Sequence, residues 1–305
     1  MSEKRQPLDW VLFLTLTCLW ASAYVFNRIS VNQDDPTAGL PPQMVIAGRL
    51  TIGAIVLLVA ALVTRQKFPL LRDYRSWGAM LAMSIFGMAA PFFLITTAQK
   101  TVDSSLAALY NAAVPLFVAV MANYLFPDEK MSSRKAFGLV LGFSGIAVLF
   151  GPDAVRSFGS ADATAQIFLI IATFFYALST IIMRSAPVMP PIAFTAGYVC
   201  MAAVISWGGL VTVDFSSLSP SPMSVLSVVG LGIFPTALAS LLYTQLIKRT
   251  NATFLSLTGY TIPVLTAIAG FLLFGETQNW LSALAFALIL SGVWIAQHSG
   301  RKMQQ

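Results

Sequence analysis

The chain has 305 residues, of which 57% are hydrophobic and 10% charged, with 18 Lys/Arg against 12 Asp/Glu and a net charge of +6. A water-soluble domain carries about 25% charged residues to cover its surface, so this composition excludes a soluble enzyme, a nucleic-acid binder and a disordered scaffold. Two cysteines, Cys18 and Cys200, and one histidine, His298, make neither a disulfide framework nor a His/Cys metal cluster, and no cofactor is expected.

A helix needs about 20 apolar residues to cross a hydrocarbon core of about 30 Å. Ten such stretches follow one another, at 9–30, 42–64, 75–98, 104–126, 133–150, 163–184, 191–213, 222–247, 252–274 and 279–298. The predicted fold is an all-α membrane protein with ten transmembrane helices. A β-barrel would show strictly alternating segments of about 10 residues, whereas these runs are continuous and about twice as long. Lys4-Arg5 followed by an apolar run and Ala21-Ser22-Ala23 has the outline of a signal peptide. Its removal would leave nine spans and break the repeat described below. The links are short and polar, such as Gln33-Asp34-Asp35-Pro36, and none could hold a soluble domain. With the N-terminus in the cytoplasm, 14 Lys/Arg fall at cytoplasmic ends and three, Arg28, Lys100 and Arg156, at the other side, while Arg49 lies inside the second span. This positive-inside bias predicts cytoplasmic termini and explains the basic charge without a polyanionic partner.

The two halves, 1–150 and 151–305, resemble each other. A shift of 148 places Ile85-Phe86 on Ile233-Phe234, Lys100 on Lys248, Pro115 on Pro263 and Leu125-Phe126 on Leu273-Phe274. With one residue dropped, Glu129 meets Glu276 and Gly145 meets Gly292, and near the start of each half a shift of 156 sets Trp20-Ala21 on Tyr176-Ala177 and Arg28 on Arg184. Five spans per copy is an odd number, so the second copy must enter the membrane from the opposite side. Two inverted five-helix repeats that can rock about a shared midplane site are a transporter architecture.

The motifs resemble the EamA-type members of the drug/metabolite transporter superfamily. The likeness is carried by Leu19-Trp20-Ala21-Ser22-Ala23-Tyr24, Ala47-Gly48-Arg49-Leu50, Ala113-Val114-Pro115-Leu116, Ile262-Pro263-Val264, Phe274-Gly275-Glu276 and Ser291-Gly292-Val293, in order along the whole chain. The first-half link reads Pro127-Asp128-Glu129 and departs from the family's Gly-Glu. The resemblance implies an exporter of small metabolites, and within the family it is nearest to the YddG-type exporters of aromatic and other neutral amino acids. Small multidrug antiporters of the wider superfamily hold a proton or cation on a membrane-embedded Glu. Here all twelve acids sit at span ends or in links, so facilitated transport is the simpler expectation. Asp9, Asp73 and Asp103 each precede or open a helix, where a carboxylate caps free N–H groups.

A charged side chain at membrane depth is costly and defaults to a functional hypothesis. Arg49 lies seven residues past Pro42, about 10 Å into its span. It can hold a substrate carboxylate or tie helix backbones together. Phe13, Thr17, Trp20, Tyr24, Asn27 and Arg28 form one helical stripe, with Tyr176 and Thr180 on its repeat partner. Tyr110 and Asn111 in the fourth span and Ser256 and Tyr260 in the ninth complete the candidate substrate-binding set, with Trp20, Tyr24, Arg49, Tyr176 and Thr180. Pro115 and Pro263 lack the N–H that would bond the carbonyls of Asn111 and Gly259. The freed oxygens either face substrate or are repaired by a neighbouring hydroxyl. Pro91 and Pro235, unmatched in the repeat, are candidate hinges. Gly138-x-x-x-Gly142 in the fifth span, with Ala283, Ala285, Ala287, Ser291 and Gly292 in the tenth, suits close packing between halves or between protomers.

The expected partners are therefore an amino acid or similar amphipathic metabolite and the lipid bilayer, with no nucleic acid. A monomer suffices and the oligomeric state is open. Two rival readings stand beside the exporter. A nucleotide-sugar or sugar-phosphate antiporter would need two or more basic residues at the site, and only Arg49 lies at depth. A non-transporting receptor or assembly protein would be expected to carry a soluble domain.

Overall fold

The computed structural model describes residues 6–126, 131–156, 161–249, 258–277 and 279–298, without the side chains of 149–156, 161–162, 244, 247–249, 260 and 296–298. The described residues are helical and contain no strand. Ten helices match the ten expected spans. They are α1 Pro7–Val31, α2 Pro42–Val63, α3 Tyr74–Ala98, α4 Ser104–Leu125, α5 Ser133–Arg156, α6 Ala161–Ser185, α7 Pro191–Trp207, α8 from Pro222 to Arg249, α9 Thr258–Phe274 and α10 Trp280–His298. Among the described residues seven of these are long and apolar enough to cross a bilayer outright, and α9 and α10 hold shorter apolar stretches. Residues 252–257, expected to begin the ninth span, lie outside the description. Large apolar side chains such as Leu62, Val63, Val140, Phe271, Leu272 and Leu273 are exposed. In water that surface would aggregate; against lipid tails it is the ordinary solvent-facing side.

Three spans are not the uninterrupted helices the apolar runs suggest. α4 is broken at Ala112-Ala113 into Ser104–Asn111 and Val114–Leu125, with Pro115 in the first turn of the second piece. α3 and α8 each contain a stretch in which the hydrogen-bond ladder widens to π-helical spacing, Ser84–Ala89 and Gly232–Leu238. These stretches close with Ala90 N–H on the Ile85 carbonyl and Ala239 N–H on the Phe234 carbonyl. The repeat shift of 148 places Ser84 on Gly232, so the two π stretches begin at the same repeat position. The prolines are unmatched, but both belong to this matched feature: Pro91 stands just beyond the first stretch and Pro235 inside the second. Such insertions are rare and often mark functional sites.

The halves pack with their equivalent helices antiparallel. Gln66, just past α2, accepts from the N–H groups of Ile192 (3.0 Å) and Ala193 (3.2 Å) at the start of α7, while Gln43 at the start of α2 bonds Thr212 beyond α7 (3.3 Å). In α5 and α10, Gly292 lies on the backbone of Gly138 and Gly142, whereas Gly145 meets Ala285 and Ile289. Glu276, after α9, meets Ser104 and Ser105 at the start of α4. The remaining contacts come in matched couples: α1 packs on α8 as α6 packs on α3, α1 on α9 as α6 on α4, and α2 on α8 as α7 on α3. Only a two-fold axis perpendicular to the helices does this, so the five-helix repeats are inverted.

Small residues set the closest contact. A Cβ on Gly292 would overlap the Gly138 carbonyl and the Gly142 amide. Helices in lipid associate through this kind of backbone approach, and here it joins α5 to α10, one from each half. Gly292→Leu is expected to destabilise the purified protein by about 1–3 kcal/mol, the scale of overpacking. Thermal unfolding in detergent reads it, and an unchanged melting temperature would contradict the packing described.

Candidate functional site

Arg49 lies two turns into α2 and is 4% exposed. Its Nε donates to Thr236 Oγ1 of α8 at 2.8 Å, and its guanidinium lies over the Phe92 ring of α3 at 3.6 Å. Tyr24 of α1 and Tyr176 of α6 are within electrostatic range. Among the described residues no carboxylate pairs with Arg49, and the sequence places none of its twelve acids at that depth. A buried cation ordinarily requires a counter-charge. Here an aromatic face and one hydroxyl do part of that work.

Thr236 owes its position to the proline before it. Pro235 has no N–H for the carbonyl four residues back, that of Leu231. The Thr236 hydroxyl donates to that carbonyl at 2.8 Å and accepts from Arg49 on its other side. Neither Thr236 nor Phe92 was singled out by the sequence reading. The signal for the first was the Pro-Thr dipeptide inside a span, where a hydroxyl repairs the freed carbonyl. Nothing in the sequence pointed to Phe92, one of 22 phenylalanines.

A polar chain runs from Tyr24 across α4 to α6. The buried Tyr24 hydroxyl accepts from Asn111 Nδ2, and the Asn111 side-chain carbonyl faces Thr173 Oγ1 at 3.4 Å. The Thr173 hydroxyl lies 2.7 Å from the Leu169 carbonyl and 3.2 Å from that of Tyr110, at the break in α4. The Tyr110 hydroxyl, at the far end, donates to Gln166 Oε1 at 2.7 Å. Asn111 is thus held between two helices at the point where Pro115 leaves its backbone carbonyl without the usual donor.

The structure brings Tyr24, Arg49, Asn111 and Tyr176 together, with Tyr110 one link away. Trp20 instead packs on Tyr243 of α8, ring centroids 5.8 Å apart, in a cluster with Phe13, Leu16 and Leu246. Thr180 is exposed, and its hydroxyl turns back to the Tyr176 carbonyl at 3.0 Å. Pro263 is buried inside α9. Ser256 and the Tyr260 side chain lie outside the described residues.

A second cluster closes the end of the bundle where α1 finishes. Arg28 Nη1 donates to Glu276 at 2.6 Å and to Asp103 at 3.0 Å, with Asp34 3.5 Å from Nη2. Gly275 adopts φ 67°, a left-handed conformation that glycine accepts freely. It ends α9 and carries Glu276 over the start of α4. There the carboxylate accepts from the N–H groups of Ser104 (3.0 Å) and Ser105 (3.1 Å) and from the Ser105 hydroxyl (2.6 Å). Asp103, expected to cap α4, makes no cap bond, because its carboxylate is drawn to Arg28 and Glu276 from the other half takes its place. Burial pushes the Glu276 carboxyl up, but the Ser105, Ser104 and Arg28 donors outweigh it and hold it below its ordinary 4.5. Asp103 is pushed up, first by burial and then by the charge of Glu276, against the pull of Arg28. The opposite end of the bundle echoes part of this arrangement. Arg184 lies over Phe126 at 3.9 Å, as Arg28 lies over Phe274 at 4.6 Å, at matching repeat positions. Glu129, the repeat partner of Glu276, is outside the described residues.

Two inverted five-helix halves around a buried polar centre, which holds no carboxylate among the described residues, define a membrane transporter of the repeat class. The chain belongs to the EamA-like transporter family, whose model matches residues 9–151 and 163–296. It is 25% identical over 302 residues to the uncharacterized transporter YdfC of Bacillus subtilis, covering 94% of this chain and 90% of that one. It is 27% identical over 280 residues to the aromatic amino acid exporter YddG of Ancylobacter novellus, covering 87% and 91%. It is 24% identical over 296 residues to an S-adenosylmethionine/S-adenosylhomocysteine transporter of Chlamydia muridarum, covering 93% and 90%. A solved crystal structure shares the fold with a TM-score of 0.67 at 22% identity, covering 97% of this chain and all of that one. The family and these relatives are transporters rather than enzymes, and a non-transporting receptor is set aside.

Because the folded-state pKa of Glu276 is depressed, its contribution to stability is present above the ordinary carboxylate value and is lost as pH falls through the lowered one. The melting-temperature gap between the wild type and Glu276→Gln is therefore expected to be level from about pH 8 to pH 6 and to close only below 4.5. A gap that closes near neutrality would contradict the assignment.

Proposed function

We propose that this protein exports amino acids, aromatic and other neutral ones first, or similar small amphipathic carboxylates, across a bacterial inner membrane by alternating access. Both termini are cytoplasmic, and the five-helix halves 1–150 and 151–305 rock against each other. The observation that carries this reading is the Arg49 guanidinium, buried between the halves with no carboxylate partner among the described residues. Its Nη edge receives the substrate carboxylate in a bidentate pair, while Tyr24 and Tyr176 supply hydroxyl donors and aromatic surface. Asn111 holds Tyr24 in position, and the backbone opening at Pro115 offers a carbonyl to an α-ammonium. Pro91, Pro115, Pro235 and Pro263 are the points of bending. Likeness to an aromatic amino acid exporter supports the substrate class without fixing it.

With no acid at membrane depth, transport runs down the substrate gradient and needs no proton. On this orientation the Arg28–Glu276 cluster lies at the periplasmic end. A sugar-phosphate substrate is disfavoured, because Arg49 stands alone where a phosphate would call for at least two cations.

Uptake of labelled phenylalanine into proteoliposomes is expected to be the same with and without an imposed pH gradient. Strict dependence on that gradient would overturn the facilitated reading. Arg49→Lys is expected to express normally and lose most transport, since an ammonium replaces neither the fork nor the aromatic stacking. Full activity in Arg49→Ala would remove Arg49 from the site.

A further inference from the structure

Arg49 touches one π-helical stretch directly and the helical turn that follows the other. Phe92, under its guanidinium, follows the stretch Ser84–Ala89 by three residues, and Thr236, bonded to its Nε, lies inside Gly232–Leu238. One of these stretches belongs to each half. The contact is also tight at the backbone. A Cβ on Gly53 would come within 2.7 Å of Thr236 Cγ2, and one on Gly232 within 2.9 Å of the Arg49 carbonyl. The Ile52 and Thr236 side chains fill this contact, so α2 and this part of α8 pack without a gap.

We propose that Thr236 is the positioning residue that couples occupancy of Arg49 to the π-helical break of α8. The Thr236 hydroxyl is shared between two tasks. It accepts from Arg49 and it donates to the Leu231 carbonyl, which Pro235 cannot reach for want of an N–H. A carboxylate arriving on the Nη edge turns the guanidinium plane, and Nε leaves its line with the hydroxyl. The Thr236–Leu231 bond then loses the polarisation supplied by a charged donor, and the stretch is free to change its hydrogen-bond spacing. A ligand shifts a conformational equilibrium only through contacts that differ between the two states, and the Arg49–Thr236 bond is such a contact. It also explains how a site in α2 acts on a helix of the other half. The inference rests on the proposed substrate site, in which Arg49 holds the carboxylate.

The test compares Thr236→Val, which keeps the shape and removes the hydroxyl, with Thr236→Ser, which restores it. Two readouts are taken on the full-length protein: phenylalanine exchange in proteoliposomes, and amide hydrogen exchange across 232–239 without ligand. Thr236→Val is expected to lower the maximum exchange rate about tenfold and to speed amide exchange about tenfold, the scale of one hydrogen bond to a charged group. The half-saturating phenylalanine concentration is expected to stay within about twofold, because the Nη edge is untouched, and Thr236→Ser is expected to recover both readouts. Arg49→Lys is expected to speed amide exchange over 232–239 as well. Wild-type rate and protection in Thr236→Val would overturn the coupling, as would a loss confined to apparent affinity. If the wild type does not exchange phenylalanine, the substrate reading fails by itself and the amide measurement still decides. Unchanged protection of 232–239 in both Arg49→Lys and Thr236→Val then overturns the coupling, and raised exchange in both sustains it.

Discussion

A guanidinium stays charged in a protein interior, so a chain that buries one in the membrane must supply something for it to face. In this chain that something is not a carboxylate. Arg49 faces a phenyl ring, a threonine hydroxyl and two tyrosines drawn from four other helices. The distribution of acids explains why. All twelve lie at span ends or in links, and the buried Glu276 is committed to Arg28 and the start of α4. In the function proposed above, the charge at the centre receives a solute, while the charge at the end of the bundle is committed to structure.

The two arginine sites differ in how they are satisfied, and this difference organises the molecule. Arg28 sits among three acids and helps hold α9 of one half on α4 of the other. Its bonds are short, charge-assisted and local to one end. Arg49 has a single directional bond and a stacked ring, which hold a cation in place without saturating it. Close glycine contacts join the two halves at α5 and α10. The weakly held cation lies where the irregular backbone of α3 and α8 converges, and irregular backbone at membrane depth is tolerated only inside protein or beside a cavity.

Much of this was legible in the sequence. The ten spans followed from apolar run length, and the inversion from an odd number of spans per copy and matched pairs such as Pro115/Pro263. Tyr24, Asn27 and Arg28 do share an inward stripe with Phe13 and Thr17, all buried. What sequence could not carry was the internal geometry of a span. The π stretches leave no mark on hydropathy, because widening a hydrogen-bond ring changes no side chain. Pro91 and Pro235 looked unrelated because they differ by four residues in the repeat, although each adjoins the same structural element. Trp20 fits the stripe by spacing yet packs on Tyr243, since a helix stripe is wider than any one neighbour. Asp103 has the sequence signature of a cap, but a stronger acceptor from the other half displaced it, and that competition is invisible to local reading.

In the proposed site the buried cation recognises a carboxylate, and among the described residues nothing at its depth provides a counter-charge for an ammonium. Competition in phenylalanine exchange, using two analogues that each lack one of the two charged groups, tests it most directly. Phenylpyruvate, which keeps the carboxylate, is expected to inhibit exchange, while phenethylamine, which keeps only the ammonium, leaves it unaffected. Inhibition by phenethylamine with none by phenylpyruvate would contradict the account.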